Sequence, residues 1–151
     1  MEIESATASN VISRAQADIV RRLRRRLKTV RKSHALAEKS LPTEVAIDIA
    51  LQTATLLQQH AHVYSAGASS MTVKASESGL PSDLTIALEA EWGLGRNIEF
   101  RFNEVKKLKR ARRIGVERLE QMQKSMKHLE ETVASLQSTP HTEAELGRIV
   151  K

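Results

Sequence analysis

The chain has 151 residues, of which 40% are hydrophobic, so it is long enough for one domain with a modest core. It contains no cysteine, which excludes a disulfide framework, a thiolate metal site and a cysteine nucleophile. Its net charge of +6 is concentrated in two short segments, which favours a directed contact with an anionic partner over a generally basic surface.

We expect an intracellular protein that makes no membrane contact. Residues 1–9 carry two glutamates and no apolar core, so we predict a disordered N-terminus without a secretory signal. No uncharged apolar run reaches the roughly 20 residues that a membrane-spanning helix needs. The absence of cysteine favours a reducing compartment, and the basic segments favour the nucleus over the cytoplasm.

The first helix is predicted over residues 10–41. Mostly apolar residues recur there at alternating steps of three and four, the spacing of a heptad seam that faces another helix. Pro42 restricts the residue before it, so the helix should end near Leu41. The seam consists of Val20, Leu23, Leu27, Val30, His34, Ala37 and Leu41.

A second helix is predicted over residues 43–65, with similar stepping and Gly67 as a stop signal beyond its end. Thr53 and His60 lie on its seam, so its apolar face is weak. We expect the first two helices to form an N-terminal hairpin that needs support from the rest of the chain.

Three strands are predicted, over about residues 70–76, 84–92 and 98–102. Apolar and polar residues alternate in each, as in a half-buried strand. Turn-forming residues separate them, so we expect a small three-stranded antiparallel sheet. A helix over residues 84–92 is the alternative, because alanine and glutamate favour helix there.

The last helix is predicted over residues 104–138, with Asn103 as its N-cap. Its heptad seam runs from Val105 to Leu136, and only Arg112 and Gly115 interrupt the apolar positions. We expect this coiled-coil-like helix to bind a protein partner. The predicted partner-binding residues are Leu119, Met122, Met126, Leu129, Val133 and Leu136.

The nature of that partner follows from the methionines on the seam. Met122 and Met126 suit an adaptable contact, so a heteromeric partner is favoured over a second copy of the chain. The number of copies in the assembly stays open.

Basic residues are dense in two segments, with eight among residues 21–32 and six among residues 106–113. Like charges at this density repel along a helix, and a polyanion relieves that repulsion. The second segment would also open the last helix, whose positive dipole end favours a phosphate. The predicted nucleic-acid-binding residues are Arg21, Arg22, Arg24, Arg25, Arg26, Lys28, Arg31, Lys32, Lys106, Lys107, Lys109, Arg110, Arg112 and Arg113.

Catalysis is not expected, because the chain has no dinucleotide loop, no phosphate-binding lysine loop and no nucleophile elbow. We therefore predict no cofactor. His60 and His62 are candidate metal ligands, but residues two apart on a helix point about 200° away from each other. Glu44 and Asp48 lie near the N-terminus of the second helix, where the positive end of the helix dipole stabilises carboxylates without any metal. No metal is expected.

The sequence thus predicts a helix-dominated α+β fold, with a single domain over residues 10–138 and a polar tail over residues 139–151. We interpret the chain as a non-catalytic basic subunit of a macromolecular assembly. In this interpretation the chain binds the backbone of DNA or RNA and makes no base-specific contacts. The alternative is that the chain is a protein scaffold or adaptor in a multiprotein coiled-coil complex. Its arginines would then contact acidic surfaces of neighbouring subunits and would not contact nucleic acid.

Overall fold

A computed structural model describes residues 2–138 of the chain, with side chains over residues 11–138. It is 77% helical and contains a small antiparallel sheet, which confirms a helix-dominated fold. The predicted tail, residues 139–151, lies outside the described residues. The elements in order are helix α1 (Glu2–Ser40), helix α2 (Glu44–Gln59), a 3₁₀ turn (Ala61–Val63), strand β1 (Ser70–Val73), helix α3 (Ala75–Ser78), strand β2 (Leu84–Ala87) and helix α4 (Leu94–Ser138).

The chain divides into two compact units. Unit 1 combines α1 with the part of α4 from Gly115 onward, and unit 2 is Leu41–Ile114. That residues 10–138 fold as one domain stays a prediction. None of the described helices is both long enough and apolar enough to cross a membrane.

In unit 1, α1 and α4 pack as an antiparallel pair through their predicted seams. Val20 is buried together with Val133 and Leu136, whereas Arg31, farther along α1, reaches back to Glu130. The α1 seam is buried or half-buried at every position from residue 20 to residue 37. Within unit 1 the partner of α1 is therefore α4. That α1 and α2 form a hairpin stays a prediction.

Helix α1 begins at Glu2 rather than at residue 10. The predicted start of this helix, at residue 10, therefore lies inside α1. Residues 2–9 contain neither proline nor glycine, so nothing in the backbone stops the helix from extending through them. Ser9 and Asn10, whose residue types often cap a helix start, lie inside α1.

The core of unit 2 lies between α2 and the two-stranded sheet. The strands pair antiparallel, with Met71 opposite Ile86 in the register. Leu57 of α2 is buried in one cluster with these two residues, Val73 and Leu88. Alternation in the sequence thus identified the buried face of β1 and β2 correctly.

The predicted third strand is wrong, because residues 98–102 lie inside α4. Strand β2 also ends at Ala87 instead of continuing to residue 92. Leu94 and Ile98 pack on the core of unit 2, and Val105 is buried. These positions recur at helical spacing, which a five-residue alternating segment is too short to reveal. The predicted cap, Asn103, therefore lies within the helix.

Helix α2 is shorter than predicted. Thr43 caps its start by accepting a hydrogen bond from the Ala46 amide at its hydroxyl, 3.0 Å away. The helix ends at Gln59 with His60 as its C-cap, and the chain continues into the 3₁₀ turn. Gly67, with φ of 77°, follows that turn. The C-terminal end of α2 thus lies before the His60–His62 pair.

Candidate nucleic-acid interface

The first basic segment, residues 21–32, lies on the solvent-exposed surface of α1. Its apolar residues lie on the seam, where Leu27 is buried and Leu23 half-buried, so the cations occupy the remaining positions of the helix. All eight of its arginines and lysines are exposed. We call this set the α1 basic segment.

Only two of these eight cations have a carboxylate partner among the described side chains. Arg21 Nη2 lies 3.2 Å from Asp18 Oδ1, and Arg31 Nη2 lies 2.7 Å from Glu130 Oε1. The cations without a salt bridge to residues 11–138 are Arg22, Arg24, Arg25, Arg26, Lys28 and Lys32. Their mutual repulsion is therefore left for an external anion to relieve.

One side of the α1–α4 pair forms a groove of about 690 Å³, which we call the arginine groove. Arg22 and Arg26 line it from α1, and Arg118 and His128 line it from α4. Hydroxyl groups, including that of Ser125, also line it, and no carboxylate among the described residues does. The groove therefore offers several donors to an anion and no opposing negative charge.

The opposite side of the same helix pair differs in charge. A smaller depression there, of about 410 Å³, is lined by Arg24 and Arg31 together with Glu130. Because Glu130 pairs with Arg31, this side already carries a carboxylate that neutralises one of its arginines. A phosphate would therefore meet only cations and neutral groups in the arginine groove, but a carboxylate as well on the opposite side.

The second basic segment, residues 106–113, lies well inside α4, which begins at Leu94. The prediction that its cations sit at the positive end of a helix dipole is wrong, because the dipole acts only within the first turn. Lys107 pairs with Glu104 at 3.4 Å. Lys106, Lys109, Arg110 and Arg113 are exposed.

Arg112 differs from the other residues of this segment. Its Nη1 donates a hydrogen bond to the Pro42 carbonyl oxygen, 2.9 Å away, and its Nη2 lies 3.7 Å from Glu44 Oε1. Its side chain is only 30% exposed. The guanidinium therefore holds the segment before α2 against α4 and is not free to bind a phosphate.

The predicted partner-binding seam is already used within the chain. Leu129, Val133 and Leu136 are buried, and the last two pack with Val20 of α1. Leu119, Met122 and Met126 are half-buried on the same stripe. The C-terminal part of this seam is therefore not available to another chain, because α1 supplies a matching heptad from the same molecule.

Sequence reasoning missed three residues that shape these surfaces. Arg118 lies outside both basic segments, and its only signal was its place beside Leu119 of the seam. Asn97, buried in unit 2, donates from Nδ2 to the carbonyl oxygens of Glu89 and Gly93 and accepts at Oδ1 from the Glu89 amide. Arg101 donates to the Ala87 carbonyl oxygen at 2.6 Å.

Comparison with known protein families gives a match over nearly the whole chain. The family described as NFACT N-terminal and middle domains matches residues 4–149. No curated protein and no solved structure matches the chain.

Proposed function

The chain belongs to the family of NFACT N-terminal and middle domains, and from that premise we propose that it is a non-catalytic module that binds an RNA backbone through α1. The family is associated with ribosome and RNA binding. The observation that carries the proposal is the α1 basic segment, whose eight cations are all exposed. Six of them have no carboxylate partner among residues 11–138.

Phosphate contact is the chemistry that this surface supports best. Each phosphate that an arginine neutralises releases condensed counterions, so binding gains free energy that falls as salt rises. The arginine groove adds Arg118 to Arg22 and Arg26 on one side of the helix pair. Planar guanidinium groups match phosphate oxygens with two hydrogen bonds. Backbone contacts of this kind position the protein without reading the sequence.

The second basic segment contributes fewer phosphate contacts than its six cations suggest. Its exposed cations, Lys106, Lys109, Arg110 and Arg113, supply further phosphate contacts from unit 2. Arg112 does not contact phosphate in this proposal, because its guanidinium already binds the Pro42 carbonyl oxygen and Glu44.

Charge reversal on α1 tests the proposal. Binding of the full chain to unrelated RNA duplexes is measured at several salt concentrations. We expect measurable affinity at low salt and a linear fall of log affinity with log salt. The triple variant Arg22→Glu, Arg24→Glu, Arg25→Glu should bind about tenfold or more weakly, and its salt slope should shrink by about one for each phosphate that it no longer neutralises.

The matched control applies the same change of charge elsewhere. Lys39, Lys74 and Lys127 are exposed and lie outside both basic segments, so their reversal to glutamate lowers the net charge equally. This control variant should retain most of the affinity. No binding at low salt, or an equal fall in affinity in both triple variants, contradicts RNA binding by α1.

A protein scaffold is the second candidate, and exposed apolar residues on α2 favour it. Val45 and Ile49 are 66% and 57% exposed and line a depression of about 580 Å³ with Leu51. Purification of the chain from its native source, with and without nuclease, separates the candidates. Partners that survive nuclease and no longer bind the Val45→Glu, Ile49→Glu variant favour the scaffold, whereas partners released by nuclease favour RNA.

Two further parts of the proposal rest on the sequence alone. The chain acts without catalysis, because its sequence holds no catalytic motif. An intracellular location, with the nucleus favoured over the cytoplasm, stays a prediction. Imaging of the chain with and without reversal of the α1 basic segment checks the location.

A further inference from the structure

Three side chains of types that can ligate a metal ion meet in unit 2, at the C-terminal end of α2. His60 is the C-cap of α2, His62 lies in the 3₁₀ turn that follows, and Glu77 belongs to α3. One ligand atom from each side chain lies within 4.8 Å of the other two. Within the part of the chain that the structure describes, this is the one such group of three.

The end of α2 makes this meeting possible. On a continuous helix, His60 and His62 would point away from each other. Because α2 ends at Gln59, the backbone changes direction between the two histidines, and their ring centroids lie 5.8 Å apart with a tilt of 46°. Helix geometry therefore does not prevent His60 and His62 from binding the same ion.

His60 gives a second, independent observation that points to a cation. The residue is 9% exposed, and its Nδ1 has no hydrogen-bond partner among the described side chains and backbone. Its neighbour on that side is Glu77 Oε2, 4.0 Å away, which is too far for a hydrogen bond. A buried nitrogen without a partner is uncommon in folded proteins and costs free energy. A cation between Nδ1 and the carboxylate would satisfy both groups.

We propose that His60, His62 and Glu77 bind a Zn²⁺ ion. Two imidazole nitrogens and one carboxylate oxygen are a ligand set that zinc accepts, with a fourth position left to water. Zinc needs ligand distances of about 2.0–2.2 Å, so the three groups must close by a small movement. His62 and Glu77 are exposed and can make that movement while buried His60 stays in place.

The ion would tie the C-terminal end of α2 to α3. These elements flank β1 in the chain, so the site would brace the small core of unit 2. A structural ion stabilises the folded state by binding it in preference to the unfolded chain. The competing arrangement is a direct contact between the His60 ring and the Glu77 carboxylate, which needs no metal and leaves His62 without a role.

Calorimetric titration of the tag-free full chain with zinc chloride tests the site. We expect one ion per chain, and affinity weakened by about tenfold or more in His62→Gln and in Glu77→Gln. Both residues are exposed, so these variants should fold, which circular dichroism checks. The matched controls are His128→Gln and Glu38→Gln, exposed residues of unit 1, which should bind zinc as the parent chain does.

Thermal unfolding gives a second readout. Zinc at about a hundredfold excess over its dissociation constant should raise the Tm of the parent chain by about 5 °C or more, and should raise that of His62→Gln much less. Absence of zinc binding overturns the proposal. Equal affinity in the parent chain and both ligand variants overturns it too, because the ion would then bind elsewhere.

Discussion

Arg112 donates a hydrogen bond across 2.9 Å to the carbonyl oxygen of Pro42. Pro42 directly precedes Thr43, the N-cap of α2, so this contact helps to fix where α2 starts relative to α4 within unit 2. The sequence places Arg112 both in a basic segment and on the heptad seam of α4. The seam position decides its role, because it turns the side chain towards the protein.

We expect Arg112→Ala to lower the free energy of unfolding by about 1–2 kcal/mol, since it removes a charged donor from a half-buried carbonyl oxygen. Lys106→Ala, an exposed change on the same helix, should stay within about 0.5 kcal/mol. Urea denaturation measures both. Equal stability of the two variants would show that the contact with Pro42 contributes nothing.

Leu136→Ala should lower the free energy of unfolding by about 2–5 kcal/mol, because it leaves a cavity at a fully buried position. The control is Leu36→Ala on α1, whose side chain is 60% exposed and should matter little. Thermal unfolding of both variants makes the comparison.

The same experiment tests whether the seam is closed within one chain. The Tm of the parent protein should not change with protein concentration, because no subunit dissociates when the α1–α4 pair unfolds. A Tm that rises with concentration would indicate that the seam joins separate chains.

The positions of the two long seams were predictable, and their pairing was not. Every seam position from Val105 to Leu136 is buried or half-buried, including the exceptions Arg112 and Gly115. Heptad spacing determines which face of a helix is buried, but any helix with a matching face satisfies it. From this spacing we predicted another chain as the partner of α4, whereas the structure shows α1 in that place along its C-terminal part.

Short segments were harder to predict for a different physical reason. The alternation of Ile98, Phe100 and Phe102 suits a strand, but the helix is set by contacts with the residues that precede this segment. Asn97 closes the turn before it with three side-chain hydrogen bonds, and Phe100 packs beside Trp92 at 5.2 Å between ring centroids. The exposed cations of α1 were predictable, because a heptad seam leaves its charged neighbours in solvent.

Asn97→Asp should destabilise unit 2 by about 2 kcal/mol or more. The carboxylate has the same shape as the amide, but it cannot donate to the carbonyl oxygens of Glu89 and Gly93, and it carries a charge into a buried site. Asn103→Asp, an exposed change farther along α4, is the control. Chemical denaturation that ranks the two variants equally would contradict a structural role for the Asn97 amide.

Glu130→Gln should strengthen RNA binding, unlike the reversals on α1. The change removes the carboxylate that lies 2.7 Å from Arg31 Nη2 and leaves that guanidinium free for a phosphate. Both side chains are more than half exposed, so stability should change by less than about 1 kcal/mol. Affinity should rise by no more than about fivefold, and the gain should shrink as salt screens the charge.

Glu120→Gln is the matched control, because Glu120 is an exposed carboxylate on the same helix with no salt bridge to the described residues. Both variants raise the net charge by one, so a general charge effect would raise their affinities equally. A larger gain for Glu130→Gln at low salt, measured by titration with RNA duplex, assigns the effect to Arg31. Weaker binding by Glu130→Gln would mean that the ion pair itself takes part in binding, and that α1 does not bind RNA through unpaired cations alone.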